Sequence, residues 1–408
     1  MTITKGLLSG VRILDLTQAL AGPFGTMLLG DLGAEIIKIE PPSGDLLRMG
    51  EAKISPSSYY FTSVSRNKKS VILDIQSESG LEAFYDLVKI SDVVVSNYRA
   101  GVVQRQKTDF ETLKRINPGI IRCNLSGYGE SGPCSGYPSY DIIACGESGI
   151  LSLSGEPGQT PIIPGGIPMA DISGGILSAF MILAALFRRD KTGRGIKLEP
   201  NLLDSLLLYQ QLFIQTYLMT GEEPGLQGKR HRLVFPYGIY TTKDGFMTIG
   251  PADADLTIKL VGLEWMFEDS KFKTHEARKT NRQEFETYFE KVLLAKTTDQ
   301  WIELLRDNND IACGHVKSYD QLSKDPQIIH NNMICEMEIN GEKYRTLKSI
   351  FRIPDEFEGT PDQPPDLGEN TMEILKDHLQ YSDDKIDKIL ADNKEAMSKV
   401  KLRIKNMY

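Results

Sequence analysis

The sequence predicts an α/β protein with a doubly wound parallel sheet and a second, smaller α/β domain. Three observations lead there. Short β-branched runs alternate with helix-patterned segments over the first 125 residues, as βαβ units do. At 408 residues the chain exceeds one small domain. A composition shift at "TGEEPGLQGKRHR" (220–232) reads as a linker before a stretch of short strands and charged amphipathic helices.

In chain order, "VRILDL" (11–16) reads as a strand, "TQALAGP" (17–23) as a turn, "FGTMLLGDLG" (24–33) as a helix and "AEIIKIE" (34–40) as a second strand stopped by "PPSG". Pro23 suits a first helical turn, where its missing N–H costs nothing. The pattern recurs through strands at 69–75, 92–98 and 119–125 and helices at 78–90 and 110–117, which argues for a Rossmann-like domain. Gly/Ser/Pro punctuation from 126 to 168 predicts long surface loops, and loops of that length usually carry function. An apolar helix is expected over 172–189, then a turn, a short strand and another long helix. The tail beyond the Pro-rich 354–368 reads as partly helical.

Composition narrows the function. Hydrophobic content of 40% and charged content of 25% are ordinary for a globular protein, and a net charge of −8 argues against a nucleic-acid partner. Cys123, Cys134, Cys145, Cys313 and Cys335 are dispersed, which predicts free thiols in a reducing compartment. The N-terminus lacks a signal-peptide pattern, and the run at 176–187 falls short of the about 20 apolar residues a bilayer needs. A cytoplasmic protein without membrane attachment is therefore expected.

Glu40 lies 18 residues after Gly22, where a dinucleotide-binding fold places its ribose acid, but "ALAGPFGTM" lacks G-x-G-x-x-G. An NAD-dependent dehydrogenase thus stands as an alternative. There is no G-x-S-x-G, and all five histidines lie beyond residue 230 without metal-ligand spacing, so no metal site is expected. "RNKK" (66–69), "NYRAG" (97–101), Arg105 and Lys107 fall at or beyond predicted strand ends, where together they suit a phosphorylated ligand. Asp171 sits between the Gly/Pro loop and the apolar helix. Two readings compete there, an N-cap and a catalytic carboxylate; the local residues favour the cap.

Beyond single motifs, an ordered set carries a resemblance. "GVRILDLTQALAGPFGTMLLGDLGAEIIKIEPPSGD", "RNKKSVILDI", "DVVVSNYRAG", "INPGIIRCNLSGYGESGP", "YPSYD", "ADISGG" and "PPDLGENT" resemble the class III CoA-transferases of the formyl-CoA and carnitine CoA-transferase type. The similarity runs from about residue 9 to about 390. It implies that Asp171 is the nucleophile. Its carboxylate would attack an acyl-CoA to give a mixed anhydride and CoA thiolate, then an aspartyl-CoA thioester that a carboxylate acceptor attacks in turn. The helix end near Ile172 is expected to keep the carboxylate charged, and Gly174 and Gly175 to leave room for the thioester. Contacts to CoA are implied at Ala21, Leu73, Asn97, Tyr98 and Arg105, with catalytic support from Tyr140 and Asp141. CoA thioesters enter as substrates, and no permanently bound cofactor is expected.

Departures from the formyl-CoA transferases shape the substrate. Leu20 replaces a Gln, Pro41 replaces an Arg, and "TIGPADADL" (248–256) stands where a glycine-rich run would be. A larger acid is expected: an aromatic acid, a hydroxy acid or a dicarboxylate paired with succinyl-CoA, benzylsuccinate-type transferases being one candidate. The α-methylacyl-CoA racemases share the Asp but add a His base where this chain has Tyr140, so a racemase is the disfavoured alternative. The presence of Asp171 disfavours a non-catalytic subunit. The resemblance implies a large CoA-binding domain (1–222, completed by 330–408), a small α/β domain (226–328), and an interlocked homodimer or a heteromer with a homologous subunit.

Overall fold

A computed structural model describes residues 6–49, 53–54, 57–231, 234–251, 253–339, 341–351 and 361–405. The chain divides into two compact units. The first comprises Met1–Ile150, Gly165–Thr216 and Gln327–Tyr408, and the second Leu151–Pro164 and Tyr217–Pro326. The loop run 151–164 belongs to the second unit, unlike the expected boundary, because the backbone N–H groups of Gln227 and Gly228 donate to Leu153 and Gly155 at 3.0 and 2.7 Å. The composition shift at 220–232 accordingly lies within that unit.

The first unit is built on six parallel strands: β1 (Arg12–Asp15), β2 (Glu35–Glu40), β3 (Lys68–Ile72), β4 (Val93–Ser96), β5 (Ile121–Asn124) and β6 (Lys197–Leu198). Their order is β3-β2-β1-β4-β5-β6, so the direction of winding reverses between β1 and β4. Successive strand residues divide between two cores, as the two-residue period demands. Leu14, Ile37, Ile39 and Val94 face one, and Ile13, Ile36, Val93 and Val95 face the other. Sheets covered on both faces need such continuous apolar strands.

Helix α1 (Ala21–Asp31) follows β1, with Pro23 in its first turn. Helix α2 (Glu78–Lys89) buries Ala83, Phe84, Leu87 and Val88 on the first face, and Ser77 caps it by accepting the Gly80 N–H. The short helices α3 (Phe110–Ile116) and α4 (Asp141–Glu147) precede α5 (Met169–Thr192), and α6 (Leu202–Leu207) follows β6. Helix α5 ends at Gly193, whose φ of 64° and N–H bond to Arg189 form a left-handed cap. By length and hydropathy α5 would suffice to cross a membrane. Here it is a core helix, since Ala179, Ile182, Ala185 and Leu186 pack against Ile13, Ile121 and Leu198.

What brings α5 to α1 is the absence of side chains. A Cβ on Gly25 would lie 2.7 Å from the Gly175 carbonyl oxygen, and one on Gly175 would lie 2.6 Å from that of Ala21. A Cβ on Gly174 would meet Leu202 at 2.8 Å. The glycines expected to admit a thioester therefore serve helix packing.

In the second unit, β7 (Gly238–Thr241), β8 (Phe246–Ile249) and β9 (Cys313–His315) form an antiparallel sheet with β8 in the middle. Helix α7 (Arg282–Leu293) sets Phe285 and Phe289 beside Tyr240 and Met247, and the Trp301 indole donates to the Leu293 carbonyl at 2.7 Å. The tail returns to the first unit with an antiparallel hairpin, β10 (Ile334–Ile339) and β11 (Glu342–Leu347), then α8 (Asp383–Lys405), whose Ile386 and Ile389 enter the first core. The Pro-rich run at 354–368 falls partly outside the described residues.

Gly175→Ala is expected to lower stability by about 1–3 kcal/mol, the usual cost of forcing an extra methyl into a close contact. A urea midpoint equal to the parent's would refute the close-contact reading.

Candidate active site

Open α/β sheets bind ligands beyond the carboxyl ends of their strands, where the winding reverses. Here the loops after β1 and β4 flank a cavity of about 240 Å³. Its walls include Gln18 and Ala21 after β1, Asn97 and Tyr98 after β4, Tyr140 just before α4 and Asp171 in the first turn of α5.

The β1 loop is held from two sides. Asn97 accepts the Gln18 N–H at 2.9 Å and donates its amide to the Gln18 carbonyl at 2.7 Å, tying the two loops across the reversal. Beneath lie buried ions. Asp15 accepts from Thr17 N–H, from the Thr26 hydroxyl and, at 3.0 Å, from Lys68 Nζ. Lys38 Nζ donates to the Thr17 carbonyl and pairs with Asp45 at 2.8 Å, and Asp45 receives the Ala19 N–H. Burial pushes the Asp15 carboxyl up, but Lys68 and Lys38 outweigh it and hold the group well below the usual carboxylate range. Burial also pushes Lys68 down, to about 8. Ala19 adopts a φ of 61°, a left-handed conformation that this lattice maintains.

Glu40 is not a ribose ligand. Its oxygens take the Arg48 guanidinium, both at 2.7 Å, the Ser70 hydroxyl and the Asp45 N–H, and the residue is buried. The dehydrogenase alternative loses its acid.

Asp171 does not cap its helix. Helix α5 begins at Met169, two residues before it, and the N-cap position is Pro168, which has no side chain to accept a bond. The cap comes instead from α4. Asp141 Oδ1 accepts the Ala170 N–H at 2.7 Å and the Asp171 N–H at 3.2 Å. The half-buried Asp171 carboxylate accepts no hydrogen bond among the described residues and opens on the cavity. Burial, and then the neighbouring Asp141 charge, push its carboxyl up to about 7. The helix end thus does not keep Asp171 charged as expected, because Asp141 occupies it.

The other expected residues divide. Asn97, Tyr98, Ala21 and the exposed Tyr140 line the cavity with Asp171. Leu73 does not: its side chain is buried in the core. Its successors Asp74, Gln76 and Ser77 line a separate cleft of about 450 Å³ with Pro41, Asp392 and Glu395. Arg105 is exposed and lies outside the Asp171 cavity. Sequence reasoning missed Gln18, Ser126 and Tyr137 as wall residues, although Gln18 and Ser126 sit just after strands, where a site would be sought. Among the described residues no three His, Cys, Asp or Glu side chains gather as a metal would require.

Residues 8–371 match the model of CoA-transferase family III. The chain is similar to succinyl-CoA:glutarate CoA-transferase of Mus musculus, at 35% identity over 94% of this chain and 89% of the relative. It is similar to succinyl-CoA:mesaconate CoA-transferase of Haloarcula marismortui, at 30% identity over 91% and 96%. Among solved structures, a CaiB/BaiF family protein from Brucella suis superposes with a TM-score of 0.83 at 30% identity, covering 92% of this chain and 100% of the other.

A carboxyl whose proton is held more tightly folded than unfolded contributes stability at low pH, which is lost as pH rises from about 4 toward about 7. Asp171→Asn is therefore expected to match the parent's unfolding free energy near pH 4 and to exceed it at pH 8, by on the order of 2 kcal/mol after allowance for partial exposure. A constant difference across that range would contradict the raised proton affinity.

Proposed function

Because the chain belongs to CoA-transferase family III, we propose that Asp171 is the nucleophile through which this enzyme moves CoA from an acyl-CoA to a free carboxylic acid. The carrying observation is a half-buried carboxylate that accepts no hydrogen bond among the described residues and opens on the cavity at the winding reversal. An oxygen of Asp171 attacks the thioester carbonyl, the C–S bond breaks, and CoA leaves as thiolate. The thiolate then attacks Cγ of Asp171 in the mixed anhydride and expels the donor acid as carboxylate. The acceptor carboxylate attacks Cγ of the resulting aspartyl-CoA thioester, the C–S bond breaks, and a second mixed anhydride and CoA thiolate form. CoA thiolate returns to the acceptor's acyl carbon and releases Asp171. Charge balances at each step, and no oxidant or metal is needed.

The names of the relatives support succinyl-CoA as donor and a dicarboxylate as acceptor. Arg99, exposed on the cavity wall, and the hydroxyls of Ser126, Ser135 and Tyr137 suit an acceptor with a second anionic end. Arg105, exposed beyond β4, suits a phosphate of CoA. The cytoplasm suits five free cysteines.

We also propose that a second copy covers α5 and its successors. Phe180, Phe187, Leu208 and Leu212 are each 65–70% exposed, and the helix Gln211–Thr220 has no buried residue. An apolar face of that kind marks an interface. The racemase alternative lacks support, since no histidine lines the cavity and Tyr140 stands where the base is needed.

Incubation with succinyl-CoA followed by hydroxylamine is expected to leave a hydroxamate on Asp171, located by peptide mass spectrometry. Asp171→Ala is expected to lose exchange by at least about 10³-fold, as removal of a covalent nucleophile does. An Asp171→Ala enzyme that still transfers CoA would sink the proposal.

A further inference from the structure

We propose that Asp141 is a positioning residue that favours acylation of Asp171: it takes two of the first-turn N–H groups of α5 for itself and sets a second negative charge beside a carboxylate that loses its own charge on acylation. This rests on Asp171 being the nucleophile.

The N–H groups of the first turn can be followed one by one. Met169 N–H donates to the Ile167 carbonyl at 2.8 Å and Ile172 N–H to the Pro168 carbonyl at 3.0 Å. Ala170 and Asp171 N–H both donate to Asp141 Oδ1. A carboxylate in the first turn ordinarily gains from these donors and from the helix dipole. Asp141, arriving from α4, takes that gain. Cys145, one turn further along α4, is buried and directs its thiol to Asp141 Oδ2 at 3.8 Å, so the second oxygen also has a neighbour. Asp171 is left with no hydrogen-bond donor among the described residues and with a like charge beside it.

The remaining charged and titratable groups around the site do not cancel this. The first turn of α1 carries no acidic residue, and α6 presents Asp204, which Asn201 holds at 2.7 Å. The cavity wall adds Arg99 and the phenols of Tyr98, Tyr137 and Tyr140. Repulsion between Asp141 and Asp171 exists only while Asp171 is a free anion. In the anhydride and in the thioester its side chain is neutral, the departing thiolate or donor acid carries the charge away, and Asp141 keeps its own. Proton binding neutralises the same carboxylate, so proton affinity and acyl affinity must rise and fall together. A purely structural cap would not link them.

Asp141→Asn in the full chain separates charge from capping, because its amide oxygen still accepts both N–H bonds. Two quantities are read: the pH midpoint for carbodiimide labelling of Asp171, which needs no substrate, and the fraction trapped as aspartyl-CoA thioester with succinyl-CoA. The midpoint is expected to fall by about one pH unit and the thioester-to-free ratio by about tenfold, since one unit of proton affinity corresponds to a factor of ten. Asp141→Ser, a shorter neutral acceptor, is the second variant should Asn fold poorly, and the same direction is expected. Unmoved labelling midpoints in the variants would overturn the inference, even with the parent labelled on Asp171. A parent acylated elsewhere would instead overturn the nucleophile assignment, whatever the variants do.

Discussion

The site depends on one contact without side chains, the backbone of α1 against that of α5 at Gly25 and Gly175. Helix α1 is anchored to the loop after β1, and α5 carries Asp171. A larger residue at either glycine would lift the two helices apart and carry the carboxylate away from the loop it faces. Close packing converts a sub-ångström change at the glycines into a displacement at the cavity, because cores transmit strain rather than absorb it. The "ADISGG" motif is therefore two devices in one run: a carboxylate in the first helical turn, and the bare backbone that fixes where that turn lies.

The buried ions beneath the β1 loop complete the same frame. Asp15, Lys38, Lys68 and Asp45 are almost wholly removed from water. Such pairs are costly to desolvate and are weak evidence for stability. Their value here is geometric. They hold the Thr17 carbonyl, the Thr17 N–H and the Ala19 N–H, so three successive loop residues cannot drift while Asn97 grips Gln18 from β4. A site whose walls are held by groups that cannot reorganise presents the same shape before and after each acyl transfer.

How much of this was legible in the sequence varies by residue. Strand and helix alternation was plain because Val and Ile runs buried on both faces cannot be mistaken for amphipathic helices. The strand order was not, since it depends on pairings that local pattern does not encode. Asp171 is singled out by an ordered set of motifs rather than by its own surroundings. Its neighbour Asp141, thirty positions earlier, caps a helix that starts at Met169, and no periodicity links the two. Gly174 and Gly175 were read locally as space for a ligand, whereas tertiary packing claims them. Leu73 carried a family expectation into a position whose side chain is core. The β10–β11 hairpin escaped notice because its strands are half charged and weakly apolar.

The charge of Asp141 also bears on the step after the first attack. In the proposed mixed anhydride, CoA thiolate meets two carbonyl carbons. Attack at the donor's acyl carbon expels Asp171 as an anion next to Asp141 and returns to the starting state. Attack at Cγ of Asp171 expels the donor carboxylate into a cavity whose wall carries the Arg99 cation. Repulsion makes the first leaving group the poorer one, so partition shifts toward the thioester. The bias cannot be large, because the last step of the exchange must release Asp171 as a carboxylate. A proton affinity raised to about 7 fits that compromise. It exceeds that of an ordinary acid, which favours the covalent states, and still leaves the anion accessible near neutral pH, which lets the cycle close.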